Sequence, residues 1–282
     1  MVDGTVARPV RPRSGPSAKA LLLTILGEFV LPNGAAVWTA TLIRGLDLLG
    51  VVEANARQAA TRLAEDGVLQ PRRVGRATQW ELTDAGRQLL ISGAERIYHH
   101  GETTPPWNRQ WLLVLAAVPE DQRAKRVALR TRLAFEGFGF LGGGVAISPH
   151  TERHRDVEAI LSDLGLDPAP LIFTAAQVAD VPDEQLIRRA WDLDHLTARY
   201  AAFLERFGGS DPAGPEEHFA AVVGLVHDWR RFPFEDPGIP EELLPPGWSG
   251  HLAKERFDRC RQRWSDQAQQ WYQRCEQSVG PT

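Results

Sequence analysis

The sequence predicts an α+β chain of more than one domain, and three observations carry that reading. Its 282 residues exceed the usual size of a single hydrophobic core. Apolar spacing switches between the helical period and the strand period in two separate places. A Pro105-Pro106 pair lies between those places and marks a boundary. The expected division is a short arm at 1–16, a helix-and-hairpin domain at 17–104, a sheet domain at 105–182 and a mostly helical domain at 183–282.

Residues 1–16 are rich in Pro, Arg and Gly, lack any hydrophobic period and are expected to be disordered. From Ser17, Leu21, Leu22, Ile25, Leu26 and Phe29 recur at helical spacing until Pro32-Asn33-Gly34 breaks the run. Leu42, Ile43, Leu46 and Leu49 predict a second helix ending at Gly50. Ala56, Ala59, Ala60 and Leu63 predict a third, over 54–66, closed by Gly67. Val52 stands where a Ser-type cap is frequent, so Asn55 with Gln58 is expected to supply a shifted capping box. Two short runs, 68–74 and 77–82, flank Gly75-Arg76 as a hairpin, and Thr83 is placed to cap a helix reaching about Tyr98. Three helices followed by a hairpin is the order of a winged helix-turn-helix.

The apolar run 111–118 begins a new core. A helix over 122–136, a glycine-rich strand region at 138–148, a helix over 152–164 and a strand at 171–178 follow, an alternation that suggests a ferredoxin-like sheet layer. Helices are expected over 185–207, 216–231 and 251–276, with a Pro-rich loop between the last two.

Charge separates the chain in the same way. Residues 1–100 carry a net charge of +3 and residues 101–282 carry −7, within an overall −4. A basic head on an acidic body suits a nucleic-acid reader. No apolar run approaches the length of a membrane span, and Cys260 and Cys275 have the spacing of neither a zinc site nor a redox pair. A cytoplasmic protein without cofactor, metal or membrane association is expected.

If the third helix buries its alanines and Leu63, its opposite face presents Arg57, Gln58, Thr61 and Arg62. Arg bonds guanine bidentately, Gln bonds adenine, and Thr reaches a thymine methyl or a phosphate. Arg72, Arg73 and Arg76 cluster about the hairpin tip, where a basic ribbon meets the phosphate backbone or the minor groove. Together they predict binding of double-stranded operator DNA.

Several stretches resemble the PaaX-type repressors of aromatic-acid catabolism: TATLIR at 39–44, ARQAATRL at 56–63, QPRRVGR at 70–76, LTDAGR at 82–87, WNRQW at 107–111 and AISP at 146–149. The resemblance extends from about residue 18 to 180, with a weaker helical match beyond. It implies a winged-helix head, a central domain like the Cas2 ferredoxin-like fold, a homodimer, and control by a small-molecule effector such as phenylacetyl-CoA or another aryl-CoA thioester. The family commonly has an aromatic residue before the Ile-Ser-Pro stretch, where this chain has Ala146.

Arg123, Arg126 and Arg130 recur at steps of three and four, and such a stripe suits effector phosphates, which the rigid guanidinium fork binds with paired charge-assisted hydrogen bonds. Gly142-Gly-Gly144 lacks the Lys-Ser/Thr ending of a P-loop and reads as a hairpin or bulge. His150 and His154 read as a surface cluster at a helix start rather than a zinc motif. Asp192, Asp194 and His195 read as a solvated patch, and most tryptophans from Trp107 onward as core. Related Cas2-like nucleases carry an Asp near the end of their first strand, but residues 115–119 here are LAAVP, so no catalytic residues are expected. The alternatives are a Cas2-like metal-dependent nuclease with a DNA-binding head and a winged-helix module for protein contact.

Overall fold

A computed structural model describes residues 16–34, 36–102, 106–166, 170–178 and 181–279, so all of the expected arm except Pro16 lies outside the described residues. They form two compact units. The first draws on 16–92, 212–223 and 265–279, and the second on 93–211 and 224–264.

The first unit opens with α1 (Ala18–Ile25), started by Ser17, whose hydroxyl accepts the Ala20 N–H at 3.2 Å. The helix then widens into a π-helical turn, Leu26–Val30, in which Leu26, Glu28, Phe29 and Val30 are all buried. The apolar spacing predicts an uninterrupted helix here; the wider turn lets consecutive apolar side chains reach the core together. β1 (Ala36–Trp38) is a short strand absent from the sequence reading, and it leads into α2 (Thr39–Asp47) and α3 (Glu53–Glu65). Contrary to the expected capping box, α3 begins a turn earlier with Val52 as its N-cap and without a side-chain cap bond. Glu53 in its first turn favours that start through the helix dipole. α3 packs on α1 and α2 through Ala56, Ala59, Ala60 and Leu63, all buried.

β2 (Leu69–Val74) and β3 (Ala77–Leu82) form the expected hairpin about Gly75-Arg76, and β1 adds to its other side in the order β1-β3-β2, all antiparallel. β2 is therefore an edge strand, which accommodates Pro71. Thr83 caps α4 (Asp84–His99), its hydroxyl accepting the Gly86 N–H at 2.9 Å. Gly86 is required by contact, because a Cβ there would collide with the Val68 carbonyl.

The second unit contains β4 (Trp111–Leu115), α5 (Arg123–Phe135), β5 (Gly139–Gly142), β6 (Val145–Ser148), α6 (His154–Leu164) and β7 (Leu171–Ala175). The strands form one antiparallel sheet in the order β5-β6-β4-β7. The glycine-rich region is thus a hairpin of two strands, with a register shift at Phe140/Gly142 and positive φ at Gly142, Gly143 and Gly144. Leu112 and Val114 pack with Leu129 and Leu133 of α5 and Val157 and Ile160 of α6. Each such side chain contributes about 1.5–3 kcal/mol on burial. On the other sheet face, Trp111 and Ile147 pack with Ile187, Leu193, Ile239 and Leu243.

The expected helix over 185–207 is two, α7 (Asp183–Ala190) and α8 (Leu193–Arg206), separated where Trp191 is extended and Asp192 accepts the His195 N–H at 3.1 Å. α9 (Pro215–Trp229), α10 (Phe232–Glu235) and α11 (Gly250–Val279) complete the chain, with α9 and α11 each contributing residues to both units. No helix among the described residues is long and apolar enough to cross a membrane.

Candidate nucleic-acid interface

Burial of the alanine stripe turns Arg57, Gln58, Thr61 and Arg62 outward, and all four are exposed. Arg57 grips Glu53 on its own helix, with Nε and Nη2 at 2.8 and 2.7 Å from Oε1. Both partners are more than half exposed, so the pair is worth only about 0.3–0.5 kcal/mol and is readily exchanged for a stronger anionic partner. Thr61 donates to the Arg57 carbonyl at 3.1 Å.

Along the hairpin, Arg72 donates to Gln79 at 2.6 Å and pairs with Glu81 at 2.8 Å, so it is held across the ladder. Arg73 lies one register step nearer the tip, opposite Thr78, and Arg76 sits in the turn beside Gly75, whose φ is +60°. All three arginines are exposed. Arg72 therefore stiffens the ribbon, while Arg73 and Arg76 extend its positive charge to the tip.

The rear of this unit is built from segments far along the chain. Phe219 of α9 packs on Phe29 with ring centroids 4.6 Å apart, and on Trp271 of α11 at 4.2 Å. A Cβ on Gly45 of α2 would stand 3.0 Å from the Phe219 ring, so the glycine admits that aromatic. Tyr272 reaches Phe29 at 5.6 Å. Gln269 donates to the Glu28 carbonyl in the π turn at 2.8 Å, and Asn33 bonds both Gln269 and Gln273. Glu276 accepts the Trp38 N–H at 3.0 Å, supplying the N-terminus of α2 with the side-chain acceptor that its own N-cap lacks. Burial pushes the Glu276 carboxyl above the usual range, an effect opposed by the Trp38 N–H that it accepts and by the neighbouring Thr41 hydroxyl. Sequence reasoning missed these supporting residues, because no local period joins positions so far apart along the chain.

In the second unit, the expected stripe on α5 divides. Arg126 donates to the Val118 and Pro119 carbonyls at 3.2 and 3.0 Å, and Arg130 lies over the Phe140 ring, 4.1 Å from its centroid. Both line a cleft of about 460 Å3 that also includes Gly142, Gly143, Gly144 and Ala146. Arg123 is exposed but does not line it. The three glycines border this cleft, a placement that the glycine run alone does not signal.

His150 is not at the surface. It is buried, its N–H donates to Ser148 Oγ at 3.2 Å, and its ring lies against the Gly238 segment, whereas His154 is exposed. Burial, with help from Arg153, holds the His150 imidazole below its ordinary pKa.

Three models of one family match successive parts of the chain: PaaX-like protein at 17–86, the PaaX protein central Cas2-like domain at 104–187 and the PaaX-like protein C-terminal domain at 191–274. The chain is 29% identical over 250 residues to the transcriptional repressor PaaX of Escherichia coli (strain K12), covering 85% of this chain and 78% of that protein. Among solved structures it is similar in fold to the uncharacterized protein Rv0674 from Mycobacterium tuberculosis. That likeness has a TM-score of 0.62 and 22% identity and covers 91% of this chain and 99% of the other.

Proposed function

The chain belongs to the PaaX family of transcriptional repressors, and from that premise we propose that it represses transcription by binding operator DNA as a homodimer, and that a small-molecule effector releases it. In this reading 17–104 is a winged helix-turn-helix with α3 as recognition helix and the β2–β3 hairpin as wing. Residues 105–182 are a ferredoxin-like domain and 183–282 a helical domain that lends the ends of α9 and α11 to the head. The β-α-β-β-α-β order and the strand order β5-β6-β4-β7 support the ferredoxin-like assignment.

The observation that carries the proposal is the buried alanine stripe of α3, which leaves Arg57, Gln58, Thr61 and Arg62 as its outward face beside a ribbon bearing Arg72, Arg73 and Arg76. Phosphate contacts supply affinity and base contacts supply specificity. The effector is an aryl-CoA thioester such as phenylacetyl-CoA, its phosphates bound near Arg123, Arg126 and Arg130. For Arg126 and Arg130 this is supported by the α5 cleft, which they line together with Gly142, Gly143 and Gly144. The protein acts in the cytoplasm, and no catalytic step is involved.

The test is selection of a duplex from a random pool by the intact chain, followed by titration with substituted proteins. Replacing Arg57 or Arg62 by Ala is expected to cost about 1–3 kcal/mol on the selected duplex and to relax its sequence preference. Replacing Arg73 or Arg76 is expected to weaken all duplexes alike and to flatten the salt dependence. Failure to select any sequence defeats the operator reading, and metal-dependent cutting of the duplex would replace it with a nuclease. Phenylacetyl-CoA is expected to release the selected duplex, and operator DNA to weaken its binding by the same factor.

A further inference from the structure

A larger cavity, of about 680 Å3, lies wholly within the second unit and shares no lining residue with the α5 cleft. Its volume is within the range of small-molecule sites. Arg96 and Arg153 both line it, and both are tied to the C-terminal end of α5. Arg96 Nη2 donates to the Phe135 carbonyl at 3.1 Å, and Arg153 Nη1 donates to the Glu136 carbonyl at 2.8 Å. A guanidinium has five N–H donors, so each is anchored while retaining donors for a ligand.

The charge balance at this wall is incomplete. Glu136 stands 3.8 Å from Arg153 and attracts Arg96, while the two guanidiniums repel each other. Two cations thus share one carboxylate and the weak negative end of a helix. Among the acidic lining residues, Asp236 is already committed, with Oδ2 accepting from the Tyr200 hydroxyl at 2.6 Å and Oδ1 from the Gly238 N–H at 2.8 Å. Glu102, Glu241 and Glu242 are exposed, where water screens them.

Flat surfaces stand beside these donors. Phe135 lies beneath Arg96, 3.5 Å from its guanidinium carbon, and Trp248 is half-buried in the wall against Tyr200. His100 meets the Tyr200 hydroxyl at 3.2 Å. With Tyr200 donating to Asp236, this bond assigns the His100 proton to Nε2 and fixes the ring as part of the wall.

We infer that this cavity is a second ligand site, which takes a small anion attached to a flat ring, the charge being met by Arg96 and Arg153 and the ring by Trp248. The proposal is independent of DNA binding, and its test needs none.

The experiment is calorimetric titration of the full chain with benzoate and phenyl phosphate, with inorganic phosphate and benzyl alcohol as charge-only and ring-only controls. Either ring anion is expected to bind at least about tenfold more tightly than both controls, and the preference between the two assigns carboxylate or phosphate as the anion. Arg153→Gln and Arg96→Gln are each expected to weaken binding about tenfold, and Trp248→Leu to weaken it with the charge intact. Arg188→Gln, an exposed position on α7 that lines neither cavity, leaves it unchanged. Thermal melts followed by circular dichroism identify variants that keep the fold, and Trp248→Leu supplies the test if an arginine variant does not. The inference is overturned if neither ring anion binds below about 10 mM, if benzyl alcohol binds as well, or if folded Arg153→Gln and Trp248→Leu proteins bind like the parent.

Discussion

Two helices of equal length, α3 and α5, each 13 residues long, carry arginines and use them differently. On α3, Arg57 has a partner in the preceding turn that water screens, and no ion pair or hydrogen bond is made by the Arg62 side chain among the described residues. On α5, Arg126 closes on two backbone carbonyls, Arg130 covers an aromatic ring and Arg132 bonds Asp163 at 2.8 Å. α3 has two arginines five residues apart and α5 has four more closely spaced, and their surroundings differ as well. α3 is followed by an edge hairpin with its own arginines, whereas α5 lies against loops that present carbonyl oxygens. An arginine stripe therefore identifies a ligand face only after its internal obligations have been counted.

The largest expected effect concerns what holds α3 in place. Phe219→Ala removes a ring buried against Phe29, Gly45 and Trp271 and is expected to cost about 3–5 kcal/mol. Thermal melts should show the loss, and binding of the selected duplex should fall with it. Retained stability would mean that the α9 and α11 ends do not support this unit.

Next, the comparison predicts opposite responses to the same substitution. Arg62→Ala should leave the melting temperature within about 0.5 kcal/mol of the parent while costing about 1–3 kcal/mol in duplex binding. Arg126→Ala should do the reverse, losing about 1 kcal/mol of stability with its two carbonyl bonds and leaving duplex affinity unchanged. If both variants behave alike, the distinction between free and engaged arginines is wrong.

A smaller effect, about 0.5–2 kcal/mol, is expected for Glu276→Ala, which removes the acceptor for the Trp38 N–H. Glu276→Gln keeps an oxygen there and should cost less. Because burial raises the folded-state pKa of Glu276, its contribution is fully present below the unfolded-state value of 4.5 and is lost as pH rises through the raised folded-state value. The parent should show that decline in denaturant titrations across the mildly acidic range, and Glu276→Gln should lack it. The smallest effect belongs to the surface pair Arg72–Glu81, where a double-mutant cycle should return about 0.2–1 kcal/mol, diminished by salt.

Much of the first unit was legible because its signals are local. The alanine stripe turned Arg57, Gln58, Thr61 and Arg62 outward, Gly75 placed the hairpin tip, and Thr83 placed the start of α4. The π turn and β1 were not legible: Leu26, Phe29 and Val30 satisfy ordinary helical spacing, and Ala36–Trp38 is too short to alternate. Nor could sequence place Arg96 and Arg153 at one helix end, since each is drawn there by a carbonyl made available by folding. His150 was misread for a related reason. Its neighbours along the chain are polar, and the Gly238 segment that buries it comes from far downstream.

The contribution of residues 265–279 to the first unit also governs when that unit is finished during synthesis. Domains usually fold as they leave the ribosome, beginning with the N-terminal one. Here α3 and its hairpin emerge early, yet Trp271, Tyr272 and Glu276 are among the last described residues to be made. A nascent chain halted before them presents an incomplete core, so prematurely terminated products should be cleared by proteases before they can compete with the finished protein for its binding sites.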